Sequence, residues 1–258
     1  MDSSPDYRSP EDGGGRFRDT RWSMVLLSAQ SQAPGAKAAL AELCGLYWYP
    51  LYAFARRRGY GPDDAQDLTQ GFFLHLFERK ALAQVDPLKG RFRSFLLASL
   101  QNYLADEADR VRRLKRGGNM VIVPLDAKSA EDRYQLEPSD LLTADKIFDA
   151  RWAMTLLDEA ISRLRRKFAA AGKTSTFEAL RPFLDPINSD PLLSYAQVAN
   201  ELQVSVGSVK TLIHRLRKQY TCILREEVAR TVGDPAEIDD EIHALCDALL
   251  AAEGRLGP

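Results

Sequence analysis

The chain has 258 residues, 45% of them hydrophobic, enough for one large or two small domains with real cores. It holds no run of eighteen apolar residues, and its polar, acidic opening segment lacks the apolar stretch of a signal peptide, so a soluble, cytoplasmic protein without membrane insertion is expected. The net charge of -1 hides a segregation of basic and acidic segments, and local patches rather than totals govern electrostatic binding to nucleic acid.

Residues 1–18 carry no apolar period and are expected to be disordered. Beyond them helical periodicity covers most of residues 19–115 and 145–250 with no convincing strand alternation, so an all-α chain is predicted. Thr20 caps a first helix through TRWSMVLLSAQ, and a long helix runs from about Gly35 through Arg58. A break at Gly59 to Pro62 follows, with Pro62 suited to the first position of the next helix. That helix, PDDAQDLTQGFFLHLFER, buries Ala65, Leu68, Phe72, Phe73 and Leu76. Its other side holds Asp63, Asp67, Gln70 and Leu74; a leucine amid acids reads either as a protein-docking surface or as an ordinary exposed leucine.

The next helical stretch, DPLKGRFRSFLLASLQNYLADEADRVRRLKR, has a core stripe of Leu96, Leu97, Leu100 and Leu104 and ends in the basic cluster Arg110, Arg112, Arg113, Lys115 and Arg116. At its start Lys89, Arg91 and Arg93 alternate with Phe92 and lead to Phe95. Cations beside aromatics suit unpaired bases, which stack on rings while phosphates meet Lys and Arg. Phe92 and Phe95 read equally well as core residues. Residues 117–144 then break the pattern with two glycines, two prolines and mixed polarity, which predicts a flexible linker between helical domains at 19–116 and 145–226, long enough to hold them apart. VIVPL inside it reads as a short strand or as a small apolar clamp.

A second basic run, Arg163, Arg165, Arg166 and Lys167, precedes SYAQVANELQVSVGSVKTLIHRLRKQY at 194–220, which reads as two helices at a sharp turn. Ser194 with Gln197 fits a capping box, and Tyr195, Val198, Ala199 and Leu202 share the first helix's inner face. Ser205 caps a second helix with the inward stripe Val209, Leu212 or Ile213, Leu216 and Tyr220. Its opposite face collects Ser208, Thr211, His214, Arg215 and Lys218, with Lys210 and Arg217 at the edges and no acid among them. In a helix-turn-helix the second helix enters the major groove, where such donors reach base edges and phosphates. The turn position usually given to glycine is Gln203, which has to adopt a left-handed conformation at about 1 kcal/mol or shift the turn. An acidic extension at 227–258 follows, in which Ile238, Ile242, Leu245 and Leu249 form an apolar stripe. It either covers a basic surface and restrains DNA binding or completes the core.

Enzyme chemistry finds little support. His75, His214 and His243 are scattered, and there is no metal-ligand spacing, Gly-rich phosphate loop or nucleophile elbow, so neither a metal nor a cofactor is expected. Cys44, Cys222 and Cys246 have no C-x-x-C spacing or obvious pairing, and buried thiols are the expectation.

DAQDLTQGFFLHLF at 64–77, GRFRSFLLASLQNYLADEADRVRRLKR at 90–116 and the 194–220 segment, in this order, resemble a bacterial RNA polymerase sigma factor of the extracytoplasmic-function group. The resemblance spans roughly residues 20–226 and implies a two-domain helical fold whose C-terminal domain is a helix-turn-helix. By that resemblance Asp64, Asp67, Gln70 and Leu74 dock on the clamp helices of the largest subunit of core RNA polymerase. Lys89, Arg91, Phe92, Arg93, Phe95, Arg110, Arg112 and Arg113 capture and melt the minus-ten element of promoter DNA. Ser208, Lys210, Thr211, His214, Arg215, Arg217 and Lys218 read the minus-thirty-five element. The resemblance also implies control by an anti-sigma factor or other regulatory protein. Gly71 departs from it, standing where the docking helix usually has an acid. The competing expectation is a stand-alone DNA-binding regulator that never meets polymerase.

Overall fold

The computed structural model describes residues 36–78, 91–113, 127–135, 142–184 and 195–252, and among them all regular structure is helical. Helix α1 (Ala36–Arg57) is apolar on two sides, which makes it a central element rather than a surface one. Tyr47, Trp48, Leu51 and Phe54 face one cluster, and Tyr49, Tyr52, Ala53 and Ala55 face another. Pro50 sits inside it, and the hydrogen bond its missing N–H removes is offset by burial on both flanks. Helix α2 (Pro62–Glu78) begins at the proline and turns Ala65, Phe72, Phe73 and Leu76 inward, with Leu68 packed at the margin. Helix α3 (Phe92–Arg113) carries the stripe of Leu96, Leu100 and Leu104 into the same cluster, with Leu97 half-buried beside it.

The expected linker contains a helix, α4 (Ala127–Gln135), which lies against α1. Ala130 is buried there, and Glu131 accepts a two-pronged hydrogen bond from Arg56 at 2.9 Å through both nitrogens and another from the Tyr52 hydroxyl. Arg133 lies 4.0 Å over the ring of Tyr49. The Arg56 guanidinium holds the Glu131 carboxyl below its ordinary value, while burial and that carboxylate push the Tyr52 phenol up. The glycines, the VIVPL stretch, the first predicted helix, Ser194 of the proposed capping box and residues 1–18 lie outside the described residues.

Helix α5 (Ala144–Ala170) starts at Thr143, whose hydroxyl accepts from the Lys146 N–H at 3.3 Å, and runs for 27 residues. Its buried positions Phe148, Trp152, Leu156, Ala160 and Leu164 recur every fourth residue, so the buried stripe winds round the helix by about 40° per step. The first three join α1, α2 and α3 in the first cluster; Ala160 and Leu164 join the second, with helix α6 (Thr174–Leu180), α7 (Tyr195–Glu201) and α8 (Val206–Ala229). The described helices on either side of residues 117–144 therefore share a core instead of standing apart. Trp152 stacks on Tyr47 with centroids 4.3 Å apart and meets Phe92 at 5.9 Å, and the Phe92 N–H donates to the Thr231 carbonyl at 2.9 Å.

The acidic extension forms α9 (Ile238–Ala252), which packs on α5 and α8. Its stripe of Ile238, Ile242, Leu245 and Leu249 enters the first cluster, the core-completing arrangement of the two expected. The three cysteines are free, and the expectation of buried thiols fails for two of them: Cys222 and Cys246 are exposed and Cys44 is half-buried. Burial pushes the Cys44 thiol from 9.0 up to about 11. At pH 8 a thiol reagent is expected to label the exposed Cys222 and Cys246 before Cys44, whose thiolate fraction its own shift lowers about 100-fold. Mass spectrometry of timed aliquots checks the order.

Candidate nucleic-acid and protein interfaces

Between α7 and α8 the chain turns through Gln203 at φ 53°, the left-handed conformation expected of that position. Ser205 follows in extended backbone and its hydroxyl accepts from the Ser208 N–H at 3.1 Å, capping α8 as predicted. Replacing Gln203 by glycine is expected to stabilise the chain by about 0.5 to 1 kcal/mol, the relieved strain less glycine's extra freedom when unfolded. A urea titration checks this.

Val209, Ile213 and Leu216 face inward, Leu212 and Tyr220 are half-buried, and Val198 and Ala199 of α7 close over them. Tyr195, expected on the inner face, is 44% exposed and stacks on Phe183 at 5.5 Å. The outer face of α8 exposes Ser208, Lys210, Thr211, His214, Arg215 and Lys218, and its acids begin only at Glu226. Not all of these groups are free to reach outward. The Thr211 hydroxyl donates to the Gly207 carbonyl at 3.1 Å, and Lys210 lies 5.7 Å from the ring centre of Tyr195. Arg217 spends two nitrogens on the Phe183 carbonyl, at 3.0 and 2.9 Å, which ties α8 to the turn after α6. His214, Arg215 and Lys218 remain as the outward set.

Beside that face runs a groove of about 460 Å³ between α5 and α8, lined by Arg163, Lys167, Arg215 and Lys218 among others. Of the basic run on α5, Arg163 is held by Glu226 and Glu227, Arg165 by Glu178 and Arg166 by Glu159. Lys167 alone has no such carboxylate among the described residues. Helical spacing singles out neither this groove nor Lys167, because the acids that hold Arg163 and Arg165 come from other elements and only Glu159, which holds Arg166, lies on α5 itself.

The face of α2 expected to dock on protein exposes Asp63, Asp64 and Asp67, with Leu74 38% exposed beyond them. Gln70 is only 6% exposed and belongs to the buried side, next to Thr69, whose hydroxyl is tied to the Ala65 carbonyl at 2.7 Å.

The start of α3 differs most from expectation. Phe92 is a core residue at 1% exposure and Phe95 is half-buried against the same cluster, the core alternative for both rings. Arg93 is 9% exposed: Nε and Nη2 grip the two oxygens of Glu241 at 3.0 and 3.1 Å, and Nη1 donates to Asp149. Arg91 adds a contact to Glu241 at 2.9 Å. Glu241 is itself fully buried. Burial works against the Arg93 charge, but Glu241 and Asp149 outweigh it and hold the guanidinium more firmly protonated; burial also raises Asp149, against the pull of Arg93. Phe92 and Arg93 are thus turned into the core and not presented to solvent as a binding surface, while Arg91 and Phe95 remain half-buried. Arg110, at the far end of α3, is exposed and pairs with Glu107 at 3.1 Å; Lys89 and the side chains of Arg112 and Arg113 lie outside the described residues.

Among the described residues no three metal-ligating side chains cluster, and no helix is long and apolar enough to cross a membrane. No family model matches the chain, and no solved structure matches it significantly.

Proposed function

We propose that this protein is a sigma factor: it binds core RNA polymerase and directs promoter recognition and transcription initiation, without chemistry of its own. The observation that carries the reading is the exposed face of α8, where His214, Arg215 and Lys218 stand together with no acid before Glu226, behind a capped turn. Such a surface suits base edges and phosphates in a major groove. The separate acidic face of α2, with Asp63, Asp64, Asp67 and the exposed Leu74, supports a second surface for a protein partner.

The burial of Phe92, Arg93 and Gln70 favours a second reading, because the resemblance implies promoter melting and polymerase docking for these residues. In that reading the chain is a stand-alone DNA-binding regulator. Run-off transcription with core polymerase from the source organism, on fragments of the gene's own upstream region, separates the two. Initiation that requires the chain and is lost on substituting Asp67 and Leu74 supports the sigma factor. Sequence-selective DNA binding with no polymerase association supports the regulator.

A further inference from the structure

We infer that the groove between α5 and α8 is a phosphate-binding site that grips the backbone of the duplex read by α8, an inference that rests on the DNA-binding reading above. A neighbouring hollow of about 240 Å³ shares Lys167, Arg215 and Gln219 with it; its floor is apolar, with Phe168, Leu180, Leu212 and Leu216, and Lys173 from the turn after α5 joins the shared cations at its rim. Lys167, Lys173, Arg215 and Lys218 have no carboxylate within ion-pair distance among the described residues. The acid lining the groove, Glu226, is held by Arg163 at 3.0 Å. Four cations around these adjoining hollows repel one another unless an anion enters, and such a cleft focuses positive potential on its occupant.

The position of the groove selects the anion. Arg215 and Lys218 belong both to its lining and to the outward face that carries Thr211 and His214, one turn apart along α8. A helix that enters the major groove with its N-terminal half brings its flank against the adjoining sugar-phosphate backbone. The groove occupies that flank. Its lining is cationic and open, and the apolar groups of Cys222 and Ile223 offer little platform for a base or a small apolar ligand. Phosphodiester oxygens, shared among several lysine and arginine donors without base selectivity, match this chemistry.

The test is the salt dependence of duplex binding by the full chain, followed by fluorescence anisotropy with a mixed-sequence duplex from low salt upward. The double variant Lys167→Gln, Lys173→Gln alters two exposed side chains outside the base-reading set, and its melting curve verifies the fold. It is expected to weaken binding about tenfold, equally across sequences, and to reduce the slope of log K against log salt by about 2. His214→Ala is expected to change sequence preference and leave the slope largely intact. An unchanged slope and affinity in the double variant overturn the groove while leaving the DNA reading standing. A double variant that loses competition by inorganic triphosphate but keeps the parent's duplex slope assigns the site to a free phosphate compound and overturns the duplex assignment. A parent chain that binds no duplex at low salt overturns the DNA reading and the groove together.

Discussion

Truncating Trp152 to alanine is expected to destabilise the chain by about 3 to 5 kcal/mol, a large part of the stability of an ordinary domain. The indole is fully buried, stacks on Tyr47 at 4.3 Å and touches Phe92 and Phe148 at 5.9 and 5.8 Å, so no neighbouring side chain is placed to fill the cavity. Trp152→Phe is expected to cost far less, about 1 kcal/mol, because the indole N–H has no hydrogen-bond partner among the described residues. Urea unfolding followed by circular dichroism and by tryptophan emission checks both. One transition, displaced as a unit, is the expected result, since Trp152 ties helices from both halves of the chain. Two transitions of which only one moves would show that the halves fold independently.

Glu241→Ala carries the second large effect, again about 3 to 5 kcal/mol of destabilisation. Removing the carboxylate strands the buried Arg93 with Asp149 alone and releases Arg91. Glu241→Gln is expected to recover little, because a neutral amide satisfies some donors but leaves the guanidinium charge uncompensated in the interior. The informative comparison is the double replacement of Arg93 and Glu241 by Met and Leu. Packed apolar groups in place of a buried ion pair are often neutral or stabilising, so the double variant is expected to regain most of the loss. A double variant as unstable as the sum of its single variants would show that the pair has no coupling and that α9 is held by its apolar stripe alone.

These two sites also mark where the sequence stopped being informative. The inward sets of α2 and α8, the Ser205 cap and the left-handed Gln203 follow from local rules: a 3.6-residue period, a side chain that reaches an N–H three residues on, and a turn that requires positive φ. The all-helical character follows in the same way. The position of α5 was not legible locally. Its stripe winds by about 40° per step from Phe148 to Leu164, which turns its two halves toward different sides but does not say which helices each side meets. The glycines and prolines of residues 117–144 conceal this, since Gly117, Gly118 and Pro124 precede the helix at 127–135 and Pro138 follows it, so none of them interrupts it.

The burial of Arg93 and Gln70 was not legible for a related reason. Polar residues default to the surface, and only a partner from a distant element reverses that default. For Arg93 the partner is 148 residues away. A signal existed: Glu241 lies three residues after Ile238 and four before Leu245, on the apolar side of α9, where an acid needs a buried cation. For Gln70 the inner arc of α2 is wider than a single-partner helix requires, because both α1 and α3 pack on it.

The unbroken run of α5 through both clusters turns what looked like a tether into a rod of about 40 Å. On the proposed function, a tether would let the DNA-reading face of α8 and the protein-docking face of α2 drift, and a docked polymerase could sit at many distances from the element that α8 reads. A rod fixes their separation and their relative rotation together. On a duplex, each added base pair shifts a site by about 3.4 Å and turns it by roughly a tenth of a revolution, so a rigid ruler tolerates little change in spacing. If the proposed function holds, the length and phase of the DNA between that element and the polymerase become part of what is selected, at positions no side chain touches.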